Sequence, residues 1–253
     1  MSMVANDLKS NLIEEGFRHG KHPADYDSSI IMSYLCIKES VIESGYSGEI
    51  DWQTKVNFES LSESEFLREY AWVVLSSGMR ESVVRGLFCT FSKAFYDWKL
   101  SSLSGRNVKT ARKRALRVFN SERKVDAIVY AINTINEIGF ASFKRSMSSS
   151  PLTGLRTLPY IGPITCFHLA KNIGVDVAKP DRHLSRLSKS LGYDDVQDLC
   201  EAISSVTGDK ISVVDLILWR YATITPDYLT KFVDLVKSFS GDFKNSHNNQ
   251  TSG

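Results

Sequence analysis

Residues 158 to 165 read Leu-Pro-Tyr-Ile-Gly-Pro-Ile-Thr, and they divide two stretches of helical pattern. Pro159 predicts the end of one helical stretch, and Pro163 suits the first turn of the next helix. Backbone N–H groups at such a turn and at a helix start have no helical partners, so they favour a phosphate. An ordinary helical hairpin without a ligand fits the same spacing.

A second informative stretch, residues 179 to 187, reads Lys-Pro-Asp-Arg-His-Leu-Ser-Arg-Leu. Pro180 predicts an extended entry, and Asp181 stands where a helix N-cap is expected. A capping aspartate contributes about 0.5 to 2 kcal/mol to stability without any chemistry. The local sequence therefore leaves both a structural and a chemical role open for Asp181.

Elsewhere the apolar residues repeat with helical periodicity, and few segments alternate as strands would, so the chain is predicted to be all-α. Ser62 and Glu65 form the pattern of a capping box before a helix that should end near Gly78. An earlier helix, starting at Ser28, should end at Gly45. Further helices are expected at residues 83–95, 108–119, 124–138, 140–147, 196–206 and 213–222, of which the third should end at Gly139 and the fifth at Gly208.

The C-terminal part of the chain should contain one more helix. Thr225 is predicted as its N-cap and Pro226 as its first residue, where the missing N–H of proline costs nothing. Residues 241–253 are polar and are predicted to form a disordered tail.

The size and composition suit a globular protein with a substantial core. The chain has 253 residues, of which 42% are apolar and 24% charged. It has no apolar run of membrane-spanning length and no apolar block of a secretory signal near Met1, so we expect a cytoplasmic protein of bacterial or viral origin, and a monomer. Four widely separated cysteines predict reduced, buried thiols (Cys36, Cys89, Cys166 and Cys200).

The net charge of +2 does not indicate a partner, but the basic residues are unevenly distributed. Between Lys99 and Lys124 there are nine basic residues and one acidic residue, Glu122. Such a segment can neutralise phosphates of a nucleic acid, and a solvated helix face would have a similar composition.

Together, the two quoted stretches resemble the helix-hairpin-helix DNA glycosylase superfamily. In that superfamily a Leu-Pro-x-x-Gly hairpin precedes a catalytic aspartate by about twenty residues. The resemblance covers residues 155–187, and more weakly 76–91. It implies a two-lobed helical domain over residues 28–240, with the hairpin at 151–174, the aspartate loop at 175–187, and a separate N-terminal segment at 1–27.

The same resemblance implies an enzyme that flips a base out of double-stranded DNA and cleaves its N-glycosidic bond. Asp181 would be the catalytic carboxylate, without a cofactor or a metal bound by side chains, although a monovalent cation could lie at the hairpin backbone. DNA contacts would come from residues at the hairpin and around the aspartate: Tyr160, Gly162, Thr165, Lys179, His183 and Arg186.

Two positions depart from the family pattern. Many relatives have glycine where Tyr160 stands, which implies either a turn that tolerates a side chain or an altered phosphate contact. Relatives that also cut the strand have a nucleophilic lysine where Ile164 stands, so the resemblance implies a monofunctional glycosylase that uses water. The chain also lacks four closely spaced cysteines, so no iron-sulfur cluster is expected.

The resemblance also suggests residues that would enter the DNA or contact the base. Met79 could fill the gap left by a flipped base while Arg80 holds a phosphate or the orphaned base, or the two could form an ordinary connection between helices. Ile164 and His168 are spaced to share a helix face, and His168 is either a base contact or a core histidine.

Three aromatic residues could stack on an extruded base, namely Tyr34, Trp219 and Tyr221, but core packing explains any one of them. Lys179 could contact a phosphate, act as a substitute amine, or be a surface lysine.

Two other functions stay open: a non-catalytic DNA-binding protein in which Asp181 only caps its helix, and a base- or nucleotide-hypermodifying enzyme with the same fold. The excised base, and a role in repair or in defence against viral DNA with hypermodified bases, also stay open.

Overall fold

A computed structural model describes the backbone of residues 28–248 and the side chains of residues 28–240. The predicted N-terminal segment 1–27 and the last part of the predicted tail, 249–253, lie outside the described residues. Within the described part every regular element is helical, which confirms the all-α class.

The α-helices are numbered here in chain order. They are α1 Ser28–Val41, α2 Ser47–Lys55, α3 Glu63–Ser76, α4 Glu81–Ala94, α5 Arg106–Val118, α6 Glu122–Ile138, α7 Phe140–Ser148, α8 Pro151–Leu155, α9 Thr165–Asn172, α10 Arg182–Ser190, α11 Val196–Thr207, α12 Ile211–Ile224 and α13 Tyr228–Asn248. A π-helical turn, Ile42–Tyr46, joins α1 to α2, and two 3₁₀ turns, Tyr96–Trp98 and Leu100–Ser102, follow α4.

The described residues divide into two compact units. The central unit is Val56–Asp176, and the terminal unit combines residues 28–55 with residues 177–248. In the terminal unit α1 packs against α12 and α13 around fully buried side chains such as Tyr34, Ile217 and Phe232. The core of the central unit is rich in aromatic rings, including Phe95 and Trp98 with their ring centroids 5.2 Å apart.

Several helix ends follow from single residues. The capping box of Ser62 and Glu65 is confirmed, because the Ser62 hydroxyl accepts the Glu65 N–H while the Glu65 carboxylate accepts the Ser62 N–H. Gly139 and Gly208 adopt positive φ angles, 78° and 73°, directly after α6 and α11, as predicted for helix-ending glycines.

One predicted helix end is confirmed at Gly45, and one predicted helix start, at Thr225, is wrong. Gly45 (φ 88°) leaves the helical conformation inside the π-helical turn, so the first helix ends there as predicted, and α2 begins separately at Ser47. Thr225 caps the end of α12, with its N–H on the Tyr221 carbonyl, and α13 starts only at Tyr228 after Asp227 with a φ of 56°. The apolar pattern extends α12 past residue 222, so Thr225 and Pro226 form the connection rather than a helix start.

At the C-terminus, α13 runs through Gly241 to Asn248, so its helix enters the stretch predicted as a tail. A single glycine costs a helix only about 1 kcal/mol, which is not enough to end it.

All four cysteines are free thiols; Cys166 and Cys200 are buried as predicted, whereas Cys36 and Cys89 are exposed. These two lie on the solvent sides of α1 and α4.

Candidate functional site

The hairpin lies in the central unit, between α8 and α9. Leu158 and Ile161 are buried, and the Ile161 N–H donates to the Leu158 carbonyl at 3.2 Å, which closes the turn. Tyr160 occupies the tip with a φ of 66° and is 38% exposed. A glycine would suit this left-handed position better, since only glycine adopts it without steric cost.

The Thr165 hydroxyl holds the hairpin closed. It accepts the Gly162 N–H at 2.6 Å and donates to the Tyr160 carbonyl at 3.1 Å. The amide of Gly162 is therefore used inside the hairpin, contrary to the expectation that the turn amides are free for phosphate. The N–H groups of Ile164 and Thr165 have no hydrogen-bond partner among the described residues, so they are the donors that remain for an anion.

Helix α9 begins at Thr165, two residues later than the predicted start at Pro163. The Cys166 N–H nevertheless bonds the Gly162 carbonyl at 3.0 Å, so Pro163 lies within the first hydrogen-bonded turn. The His168 N–H reaches the Ile164 carbonyl at 3.4 Å, which places these two residues one turn apart on one face, as predicted. Ile164 is 45% exposed and His168 is half-buried.

Helix α3 anchors both sides of the hairpin motif. The Tyr70 hydroxyl donates to the Pro159 carbonyl at 2.8 Å, and the Asn172 amide at the end of α9 donates to Glu69 at 2.9 Å. Burial raises the pKa of the Glu69 carboxyl, and the hydrogen bond from Asn172 and the charge of Arg68 oppose that rise. Sequence reasoning missed Glu69, although an acidic residue inside the apolar stripe of α3 was a visible signal.

The turn between α3 and α4, in the same unit, exposes the residues predicted as a wedge. Gly78 has a φ of 71°, Met79 is 39% exposed, and Arg80 is exposed beside it. The Lys124 ammonium donates to the carbonyls of Leu75 and Ser77 at 2.8 and 2.6 Å, and its burial lowers its pKa. These bonds fix the end of α3 and leave the tip of the turn to solvent.

The loop before Asp181 lies in the terminal unit and is held by side chains from two helices. The Ala178 N–H donates to Gln197 of α11 at 2.8 Å, and the Lys179 N–H donates to Asp215 of α12 at 2.7 Å. Asp215 is buried, with 1% exposure. The Asp181 N–H then bonds the Lys179 carbonyl at 2.7 Å, which makes a tight turn about Pro180.

Asp181 caps α10 with one oxygen of its carboxylate. Its Oδ1 accepts the N–H groups of His183 at 2.9 Å and Leu184 at 3.0 Å, which confirms the predicted N-cap. No hydrogen bond to Oδ2 is found within the described part of the chain, and the side chain is half-buried. The carboxylate is thus fixed in orientation by one oxygen while the other can face a ligand or water.

The residues around Asp181 differ in their surroundings. The ring of His183 packs edge-on against Tyr228, with centroids 5.6 Å apart, and its carbonyl accepts the Tyr228 hydroxyl. Its Nδ1 is buried without a hydrogen-bond partner in the described region. Lys179 is half-buried and Arg186 is exposed.

The structure does not support a base-stacking role for Tyr34. Tyr34 is fully buried, and its hydroxyl donates to Asp209 at 2.6 Å; burial and that carboxylate raise its pKa. A ring without exposed surface cannot stack on a base, so Tyr34 is a core residue. Trp219 is half-buried, and the guanidinium of the buried Arg220 lies 4.7 Å from its ring centroid.

The predicted site residues therefore divide between the units. The hairpin, Ile164, His168, Met79 and Arg80 belong to the central unit, whereas Lys179, Asp181, His183, Arg186, Tyr34 and Trp219 belong to the terminal unit. In the part of the chain that the structure covers, no three His, Cys, Asp or Glu side chains are grouped as metal ligands. The cation at the hairpin backbone remains a prediction.

Comparison with known proteins does not assign the chain to a family. No protein-family model, no curated protein and no solved structure matches it. The described helices also include none that is long and apolar enough to cross a membrane.

Proposed function

We propose that this protein is a monofunctional DNA glycosylase that hydrolyses the N-glycosidic bond of a damaged or modified base. The observation that carries the proposal is the state of Asp181, a fixed carboxylate with one oxygen bound to a helix N-terminus and the other without a hydrogen bond among the described residues. The loop that precedes Asp181 is fixed, because the side chains of Gln197 and Asp215 accept the backbone N–H groups of Ala178 and Lys179.

The chemistry needs such a group. When the bond between C1′ and the base nitrogen breaks, its electron pair leaves with the base and positive charge develops on the deoxyribose. A carboxylate near C1′ stabilises that charge and orients a water molecule, whose oxygen bonds to C1′. One water proton stays on that oxygen as the C1′ hydroxyl, and the other passes through solvent to the leaving base nitrogen. Asp181 is the proposed group for both tasks.

DNA binding is assigned to the hairpin. The free N–H groups of Ile164 and Thr165 at the start of α9 suit a backbone phosphate, which the positive end of the helix dipole also favours. Exposed Met79 and Arg80 suit a wedge and a phosphate contact when the base is flipped out. Exposed Ile164, in place of a lysine, leaves water as the nucleophile at this position.

The test is base release from duplex DNAs that carry alkylated, oxidised, mismatched or virally hypermodified bases, followed by mass spectrometry of the small-molecule fraction. We expect one class of free base to appear, and it would distinguish repair from defence. Borohydride should trap no covalent adduct; a trapped species would mean that a lysine, with Lys179 the first candidate, attacks the sugar.

A non-catalytic DNA-binding protein is the second candidate, because Asp181 makes a complete N-cap. This protein would bind duplex DNA through the hairpin and release no base from any duplex in the panel. Base release in excess of an untreated control would exclude it.

A further inference from the structure

Helix α5 carries an unusual charge pattern. Arg106–Val118 contains six basic residues and no acidic residue. Two of the six have local partners, since Arg112 pairs with Asp126 of α6 and the guanidinium of Arg114 lies 5.5 Å from the ring centroid of Tyr96. The fold therefore accounts for these two side chains.

The other four form what we call the basic row: Arg106, Lys109, Lys113 and Arg117. Their spacings of three, four and four residues put them within about 80° of one another around the helix, over about 16 Å of its length. All four are exposed, and none pairs with an acidic residue in the described part of the chain. The buried side of α5 consists of Val108, Ala111 and Ala115.

The basic row opposes the stability of its own helix. Like charges four residues apart repel each other, and a cation in the first turn, Arg106, faces the positive end of the helix dipole. A solvated face that serves only solubility would gain from interleaved acidic residues, and here there are none. An anionic partner would neutralise the row and remove this repulsion.

We infer that the basic row binds the sugar-phosphate backbone of duplex DNA. The row belongs to α5 and shares no residue with the hairpin. Its length of about 16 Å corresponds to four or five phosphates of one strand, which repeat about every 3.4 Å along the duplex axis. Because the row consists only of exposed cations, it holds DNA without reading sequence. The inference rests on the proposed function for its choice of duplex DNA as the polyanion.

The experiment measures how the affinity for an unmodified 20-base-pair duplex depends on salt. The row variant carries Arg106→Gln, Lys109→Gln, Lys113→Gln and Arg117→Gln. The control loses four exposed lysines elsewhere and has the same net charge: Lys55→Gln, Lys93→Gln, Lys189→Gln and Lys231→Gln. The slope of log K against log salt should become shallower by about 3 to 4 in the row variant, since each phosphate contact contributes about 0.9.

Circular dichroism should show full helix content in the row variant, because the substitutions remove repulsion. Equal slopes in the row variant and the control would overturn the inference, as would a row that binds anionic phospholipid vesicles and leaves duplex binding unchanged. Base release reports separately on the proposed function, since the row variant keeps Asp181 and the hairpin. If no base is released but the row variant shows the shallower slope, the inference about the basic row is supported and the proposed glycosylase function is contradicted.

Discussion

The hairpin loop and the aspartate loop are held in different ways. The hairpin is closed mainly by its own residues, with Thr165 bonding Gly162 and Tyr160 across at most five positions. The aspartate loop is held by Gln197 and Asp215, which lie 19 and 36 residues beyond the amides they bind. A local motif in the sequence therefore specifies the first loop, whereas only the folded terminal unit can fix the second.

The largest effect should come from removing Asp181 itself. Asp181→Ala removes both the cap of α10 and the charge. Asp195 caps α11 in the same way, since its Oδ1 accepts the Asp198 N–H, and Asp195→Ala removes that cap. Each should cost about 0.5 to 2 kcal/mol of stability by urea unfolding. Only Asp181→Ala should slow base excision, by at least about 100-fold in single-turnover assays. Equal excision by the two variants would reduce Asp181 to a cap.

The next effect concerns the anchor of the aspartate loop. Asp215→Leu leaves the Lys179 N–H without its acceptor, which should cost about 1 to 3 kcal/mol of stability. If the loop positions the carboxylate, excision should fall by about 10- to 100-fold while DNA affinity stays constant. Asp215→Asn retains an acceptor oxygen and should recover most of the rate. A rate in Asp215→Leu equal to that of the wild type would show that the anchor has no part in positioning.

A smaller effect is expected at the hairpin. Thr165→Val removes the hydroxyl that pairs with Gly162 and Tyr160, whereas Thr165→Ser keeps it. Valine should destabilise the protein by about 1 kcal/mol and weaken duplex binding about tenfold or less. The rate of base excision from bound substrate should change little. The two variants are compared by fluorescence anisotropy. Equal affinities would mean that the closed hairpin does not prepare the phosphate site.

The smallest effect should follow from the substitution at the hairpin tip. Tyr160→Gly relieves a left-handed backbone, worth about 1 to 2 kcal/mol, and loosens the unfolded chain by about 0.5 to 1 kcal/mol. The net change in urea unfolding should be a gain of about 1 kcal/mol or less. Tyr160→Ala, which keeps the strain, is the matched control. Destabilisation by glycine greater than that by alanine would contradict the relief of backbone strain, and a loss of stability shared by both variants would show that the tyrosine ring itself stabilises the turn.

Local patterns predicted the all-α class, the capping box at Ser62, the cap at Asp181 and the glycine-ended helices. They failed where distant packing decides. Thr225 and Pro226 looked like a helix start, but the buried stripe of α12 continues to Ile224. Tyr34 looked available for stacking, but Asp209, 175 residues away, satisfies its hydroxyl inside the core. No local pattern could reveal that Asp215 holds Lys179.

The direct test of the central claim is the single-turnover rate of base excision by Asp181→Asn beside Asp195→Asn. The asparagine oxygen can accept the same N–H groups, so both caps survive and only a charge is removed. We expect Asp181→Asn to bind duplex DNA normally and to excise at least about 100-fold more slowly than the wild type, with Asp195→Asn unaffected. Excision by Asp181→Asn at the wild-type rate would contradict the account.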